Sequence, residues 1–568
     1  MNKVFSFIKN SVLLAVIIAS TNGCKVDVDP TDRYTDIAVW KNQETIDMYI
    51  YGMYNEFSTF KFGQFPLGYS NATDALTDIL KYTSTASGNG TVNILASDAS
   101  RVSAAGPQLN YWSAGYSRIR RINEFLDGIE KYANLDEDAK KRYQGEARFI
   151  RGYSYFWLAR LHGSLVLMEN LDQYANKENP RATEDETWNF IANDFAFAAE
   201  NLPKQWPSSQ SGRVTSGAAF GMLARTWLNA ASVAEYDRKQ FNQDPKTGIP
   251  EEKASEYYQH AADAAEEVFK LANEGYYGLE ADFASIFTNK NTKEALFKLD
   301  YVNPQLTHNY DLGFAPAGDI PGQGLVYGVP TAELVNEFEM NDGTKFSWQN
   351  STMAAKPYVN REPRFYATIL YNGATWKGRT IDTKPTNTVE GFVQYGSTSE
   401  PRKTVTGYYV RKMLDPNNTN FIVNKSTQSW IEMRYAEVLL IHAEAKTKLG
   451  DIGGAQLSLN QLRNKRGLPN TTAQTAAQMM VAIEHERMVE LAFEGHRYWD
   501  LRRWRKAHIV LNDVQFTGHK ITQSGSVFTY EVVSADNMDR KFTTALYYMP
   551  IPEDEIQRNP GIKQIQGW

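Results

Sequence analysis

The chain has 568 residues, is 42% hydrophobic and 22% charged, and carries a net charge of −6. That composition is ordinary for a globular chain able to bury a large core, and no basic excess points to nucleic acid. Its single cysteine, Cys24, excludes an internal disulfide and a cysteine-based metal site, and the eight histidines lack the spacing of a metal-binding helix. Neither a metal nor a cofactor is expected.

Residues 1–23 read as an export signal. Lys3 and Lys9 supply its positive end, and VLLAVIIA (12–19) is too short to span a bilayer but suits the apolar stretch of a signal. The Gly23-Cys24 junction resembles that of a lipoprotein, in which Cys24 becomes the new N-terminus and carries lipid, although Thr21 stands where Leu is usual. Cleavage there removes two lysines and takes the net charge to −8. Residues 24–35 read as a tether; Asp27 and Asp29 resemble an acidic address for the cell surface, and Pro30 disfavours helix. Plain secretion with a free thiol is the alternative.

Helical periodicity dominates from residue 36 onward. Apolar or small residues recur at helical spacing in stripes through Trp112, Ile119 and Leu126; Ala147, Ile150, Leu158 and Leu161; Ala219, Met222 and Ala230; Tyr258, Ala262 and Phe269; and Tyr435, Leu439 and Leu449. Thr215 or Ser216 can cap the third. Small residues in these stripes let helices approach closely, as in stacked helix pairs of the tetratricopeptide kind, and Leu449-Gly450-Asp451 resembles the turn of such a pair. An irregular helical bundle is the other reading.

Long irregular insertions interrupt the helices at about 57–110, 274–330 and 346–401. They are loop-rich, the first abundant in Gly, Ser, Thr, Asn and aromatics and the second holding one alternating strand at 295–301; beyond them a hairpin is expected around Gly525. Loops this long are functional or disordered, and a stiff scaffold that presents them is a ligand-binding design.

The stretch EHERMVELAFEGHRYWDLRRW (484–504) sets Glu486, Arg487, Glu490, Glu494, Arg497, Asp500 and Arg503 among aromatics. Glu486, Glu490 and Glu494 recur every fourth residue, so a helix would stack them on one face, with a break at Gly495 and a second helix from about His496. Buried charges need partners, so the stretch reads as a structural ion network clamping two helices. The competing reading makes Glu490 and Glu494 a catalytic acid pair. Elsewhere the chain has no GxSxG elbow, P-loop, HExxH helix or dinucleotide glycine pattern, so no enzyme is expected.

This stretch resembles the C-terminal signature of the SusD/RagB family, surface lipoproteins of Bacteroidetes that help import nutrients. EARFIRGYSYFWLARLHG (146–163), VTSGAAFGMLARTWLNAA (214–231), GVPTAELVNEFEMNDG (328–343), GYYVRKMLDP (407–416), MRYAEVLLIHAEAKTKLG (433–450) and YYMPIPEDEIQRNPG (547–561) match in the same order. HGSLVLM (162–168) and the terminal IKQIQGW depart from the family's pattern. The resemblance implies a mainly α-helical SusD-like fold over 36–568, with degenerate tetratricopeptide-type helix pairs, loop-rich insertions and a few short strands. It implies capture of an oligosaccharide at the outer-membrane surface, lipid anchoring through Cys24, and delivery to a SusC-like TonB-dependent transporter. A RagB-like peptide ligand is the alternative, followed by a surface glycoside hydrolase and a pure scaffold.

The resemblance also places ligand contacts in the N-terminal loops and the middle insertion. Those carry Tyr69, Asn71, Asp74 and Tyr82, then Tyr276, Tyr277, Tyr310, Phe314 and Tyr327; Trp376 lies in the third insertion near Asn372 and Lys377. Tyr and Trp suit the task because a flat ring stacks under a sugar face while polar groups meet its hydroxyls.

Overall fold

Helices α1 (Gln43–Glu56), α2 (Trp112–Tyr132), α3 (Glu137–His162), α4 (Glu184–Asn201), α5 (Ser216–Glu235), α6 (Ala254–Asn273), α7 (Tyr310–Phe314), α8 (Tyr435–Lys448), α9 (Ile452–Lys465), α10 (Ala476–Glu490) and α11 (Arg497–Arg503) carry most of the architecture. This is a computed structural model, and it describes residues 39–57, 72–86, 91–105, 111–176, 178–236, 244–320, 325–418 and 426–568. Cys24, Tyr69 and Asn71 fall outside the described residues, as do residues 58–71, 87–90 and 106–110 of the first insertion. Among the described residues no helix is long and apolar enough to cross a membrane.

The long helices begin where local chemistry says they should. Asp136 accepts from Ala139 N–H at the start of α3, Thr215 from Ala218 N–H at α5 and Asp451 from Gly454 N–H at α9. Thr183 and Glu186 form a reciprocal capping box on α4, as Thr475 and Gln478 do on α10. Removing the Thr183 hydroxyl (Thr183→Ala) is expected to cost about 1 kcal/mol, read as a lower urea midpoint with an unchanged slope.

From α2 to α6 each helix packs on the next; α6 then packs on α8, α8 on α9 and α10, and α9 on α10. That sequential stacking is what paired helices with short connections produce. It depends on small residues: Ala218, Ala219, Ala224, Ala230 and Ala231 of α5 and Ala261, Ala262, Ala264 and Ala265 of α6 are all buried.

Strands are few and short, in two-stranded antiparallel ladders. In chain order they are β1 (Leu80–Tyr82), β2 (Ala295–Leu299), β3 (Gly328–Pro330), β4 (Ile369–Leu370), β5 (Thr375–Trp376), β6 (Arg379–Thr380), β7 (Tyr409–Val410), β8 (Trp430–Arg434), β9 (Thr517–Ser524) and β10 (Val527–Ser534). Pairings are β1 with β3, β2 with β8, β4 with β7, β5 with β6 and β9 with β10. Two of these ladders position the insertions and the charged stretch. β1–β3 joins the first insertion to the second, and β2–β8 sets Ala295 opposite Arg434.

The structure corrects one expectation. Glu486 and Glu490 lie on α10, but Glu494 does not share that helix. The helix stops at Glu490, and Phe493 and Gly495 then adopt φ of 65° and 79°. The tight turn returns Glu494 to Arg434, which also meets Glu490.

Candidate ligand-binding face

The three insertions converge. Tyr82 pairs with Gly328 across β1–β3, and just beyond the ladder Thr83 donates its N–H to the Tyr327 carbonyl (3.0 Å) and its hydroxyl to the Val326 carbonyl (2.5 Å). Thr85 N–H reaches the Ser399 carbonyl (2.9 Å), and the Ser84 hydroxyl donates to Glu400 (2.6 Å). Residues 83–85 are thus strapped between the second insertion and the end of the third. A further tie runs from Trp376, whose indole N–H donates to Asp319 (2.8 Å). Arg379 bridges Asp319 (2.5 Å) and Glu390 (2.7 Å), closing the third insertion onto the second.

At this junction Tyr327 is half-buried, with Phe314 edge-on at 6.1 Å. Its ring lies across Gly313 so closely that a Cβ there would sit 2.6 Å from the ring. Burial raises the phenol pKa, with the Glu400 carboxylate adding to the shift. The half-buried Tyr327 ring with the Glu400 carboxylate nearby sets an apolar surface beside a polar group.

Other expected contacts land differently. Tyr310 (1% exposed), Phe314, Tyr82 and Trp376 (3% exposed) are buried. Their faces are covered by protein, so in this conformation they brace the loops and do not stack on a ligand. Tyr310 and Phe314 stack on each other at 4.7 Å, and the Tyr310 hydroxyl donates to the Lys412 carbonyl (3.0 Å). Tyr276 is half-buried on the turn after α6, while its neighbour Tyr277 lies over Gly217 and bonds to Thr215 (2.9 Å). Asn372 accepts from Thr383 N–H (3.0 Å), and Lys377 donates to the Asn418 carbonyl (2.5 Å). Asp74 is fully buried and accepts from Gly495 N–H (2.9 Å), under the charged stretch and away from any surface. Sequence reasoning missed Asp319, Arg379, Glu390 and Glu400. They carry no periodic signal, because their partners are set by loops meeting in space.

The charged stretch itself is closed. Arg434, at the end of β8, donates to Glu294 (2.8 Å), Glu490 (2.7 Å) and Glu494 (2.6 Å). Arg364 meets Glu362 (2.6 Å), Glu486 (2.5 Å) and Glu490 (2.9 Å); Arg466 meets Glu294 (2.6 Å) and Glu490 (2.8 Å); Lys412 meets Glu494 (2.7 Å). None of these side chains is more than 1% exposed. Within the stretch, Asp500 pairs with Arg487 (2.8 Å) and Arg503 (2.9 Å), while Arg497 reaches Asp78 (2.6 Å). Burial pushes the Glu490 pKa up, but Arg466, Arg434 and Arg364 outweigh it and hold the carboxyl well below its usual range. Glu494 is lowered too, as Arg434 and Lys412 override its burial. Neither can serve as a proton donor at neutral pH, and no substrate could pass between them.

The other motif segments hold matching halves of similar pairs. Glu146 of α3 binds Arg213, and Arg225 of α5 binds Glu432 (2.8 Å) and Glu437 (2.5 Å). His442 and His485 make ordinary contacts to Ser458 (2.8 Å) and the Glu337 carbonyl (2.7 Å).

A model of the SusD family matches residues 293–568, and a second, described as starch-binding and associating with the outer membrane, matches residues 26–228. The chain belongs to the SusD/RagB family. A SusD-like protein of Bacteroides ovatus is 25% identical over 98% of both chains, and the SusD-like protein P2 of Formosa agariphila is 25% identical over 69% of this chain and 71% of its own. A crystal structure of a SusD-like protein from Bacteroides fragilis superposes with a TM-score of 0.77 at 27% identity, covering 94% of this chain and 98% of its own. A SusD-like carbohydrate binding protein of the same species gives 0.75 at 23% identity, covering 92% and 100%, and shares the fold. SusD-family proteins are non-catalytic, in keeping with the sealed carboxylates at Glu490 and Glu494.

Proposed function

We propose that this SusD-family chain captures an oligosaccharide at the cell surface, on the face around Tyr327, and delivers it to a SusC-like TonB-dependent transporter. The observation that carries the reading is the meeting of the three insertions around one half-buried ring with the Glu400 carboxylate nearby. The family description, starch-binding and associated with the outer membrane, supports carbohydrate as the ligand class and the outer membrane as the place. Cys24 would carry the lipid, residues 24–35 would form the tether, and residues 36–568 would act as one body. Binding breaks no bond. The loops are tied to stiff helices, so ligand and transporter would bias a rigid-body movement of the whole domain. Tyr276 and the loop carrying Tyr69 and Asn71 are proposed as outer contacts.

Titration calorimetry of the purified chain against a glycan panel tests this. Wild type should bind at least one oligosaccharide, and Tyr327→Ala should weaken it about tenfold, equivalent to ~1.4 kcal/mol. Gly313→Ala should weaken it as well, because the added methyl displaces the ring it leaves in place. Binding of peptide mixtures with silence toward every glycan would replace the carbohydrate reading with a peptide one. Equal glycan affinity in Tyr327→Ala would move the site elsewhere.

A further inference from the structure

Glu400 stands at the end of the third insertion as a half-buried carboxylate. One of its oxygens is fixed. The Ser84 hydroxyl donates to Oε1 (2.6 Å) and accepts from Ala86 N–H (3.0 Å), so Ser84 is held on both sides. Ser84 is itself only 3% exposed. Its neighbours Thr83 and Thr85 are bonded to the Tyr327 and Ser399 carbonyls, and the strap therefore sets Glu400 in place relative to Tyr327.

The other oxygen is left over. Among the described residues Glu400 takes part in no ion pair, and its Oε2 accepts no hydrogen bond. The basic side chains of the adjoining segments are committed elsewhere. Lys81 binds Asp536 (2.7 Å), Arg379 bridges Asp319 (2.5 Å) and Glu390 (2.7 Å), and Lys403 donates to the Thr388 carbonyl. Arg402, two residues further on, is exposed and forms no ion pair with Glu400. The Tyr327 phenol registers the carboxylate, since burial raises its pKa first and Glu400 second.

A negative charge near an apolar ring has consequences for what can lie there. Its free oxygen can accept hydrogens from sugar hydroxyls, and a charge-assisted bond is stronger than a neutral one. A sulfate or uronate brought to the same place would meet a like charge, which is costly where water is displaced. An ammonium would be attracted.

We propose that Glu400 is a specificity-determining residue of the Tyr327 face: it restricts the ligands to neutral or amino sugars and turns away sulfated and uronate-bearing glycans. This rests on the carbohydrate reading above and narrows it.

Calorimetry with matched oligosaccharides gives the test. Neutral agaro- and malto-oligosaccharides are compared with sulfated forms of the same backbones, and N-acetylated chito-oligosaccharides with de-N-acetylated ones. For a backbone that is recognised, wild type should bind the neutral form about tenfold more tightly than the sulfated form at low salt, and added salt should narrow the gap. Glu400→Gln, which keeps the shape and an oxygen for Ser84, should bind the sulfated form about tenfold better than wild type does and the neutral form within about threefold of it. The same variant should lose affinity for the amino form. Glu256→Gln, an equal change of net charge at an exposed position of α6, should alter none of these. If Glu400→Gln does not fold, the salt dependence of the wild-type gap carries the comparison. Silence toward every glycan would remove the carbohydrate reading and this inference together. Glycan binding with no preference for the neutral form, or with the same preference in Glu400→Gln, overturns this inference alone.

Discussion

Glu490→Gln is expected to lower the unfolding free energy by about 3–5 kcal/mol, and Glu490→Ala to yield no soluble folded protein. Glu490 is the carboxylate on which Arg364, Arg434 and Arg466 converge at 2.7–2.9 Å, with every member sealed from water. Truncating one partner of a buried pair is destabilising by ~3–5 kcal/mol because it strands the other charge; here three cations lose one anion at once. Glu294, Glu362, Glu486 and Glu494 remain to share the load, which is why the amide, able to keep an accepting oxygen in place, should leave a folded if weakened protein. A domain whose net stability is about 5–15 kcal/mol tolerates such a loss poorly. The exposed pair Lys204–Glu274, at 2.7 Å with both side chains about half exposed, is the control. Glu274→Ala should change stability by less than about 1 kcal/mol despite its equally short contact. Urea melts of the variants check both, and a wild-type midpoint in Glu490→Gln would mean that the cluster is not what clamps the fold.

What the sequence disclosed follows from how local each determinant is. The cap at Thr215, the turn at Leu449-Gly450-Asp451 and the hairpin at Gly525 depend on residues within one turn of each other, and all stand where the spacing puts them, whereas the break expected at Gly495 comes five residues earlier, after Glu490. Glu494 shows the limit of that logic. The fourfold spacing is real, but the helix ends at Glu490 and the turn that follows, with Phe493 left-handed, carries Glu494 off it, so that the two carboxylates still meet at Arg434. The partners themselves were out of reach: Arg364 lies 126 residues from Glu490, and nothing in a charge pattern says which distant arginine closes the pair. The aromatic loops fail for a related reason. Tyr310 and Phe314 are four residues apart, hence on one face of a short helix, yet that face turns inward onto Lys412 and Tyr327. Composition counts the rings without saying which side of the loop is wet. Tyr327 was legible as a candidate, whereas its surroundings were not, since Ser84 and Glu400 come together with it only through β1–β3 and the strap beside that ladder.

Asp74→Asn is expected to stabilise the protein at pH 8 and to do little below pH 5. The Asp74 side chain is fully buried; one oxygen accepts from Gly495 N–H (2.9 Å) and the other has no partner. Burial raises its pKa to about 7, the Gly495 N–H and Lys412 resist, and Glu494 and Asp500 push it further up. A carboxyl whose folded pKa exceeds its unfolded value binds more protons when folded. Its contribution to stability is therefore complete below about pH 4 and lost as the pH rises to about 7. A rise of roughly three units corresponds to ~4 kcal/mol of lost stability, an upper bound that relaxation of the short helix Ala72–Ala75 will reduce. The amide keeps an oxygen for Gly495 and has no proton to lose, so it removes the pH-dependent part alone. Subtracting wild-type from variant stability at each pH cancels the other titrating groups to first order. Lys412, whose pKa burial lowers to about 8, attracts the Asp74 charge, so the variant's gain is reduced while that lysine is protonated and recovers as the pH rises through about 8. Urea unfolding of both proteins from pH 4 to 9 should give a difference that grows through pH 5–7. A flat difference would place Asp74 in water and, with it, return this residue to the pool of ligand contacts.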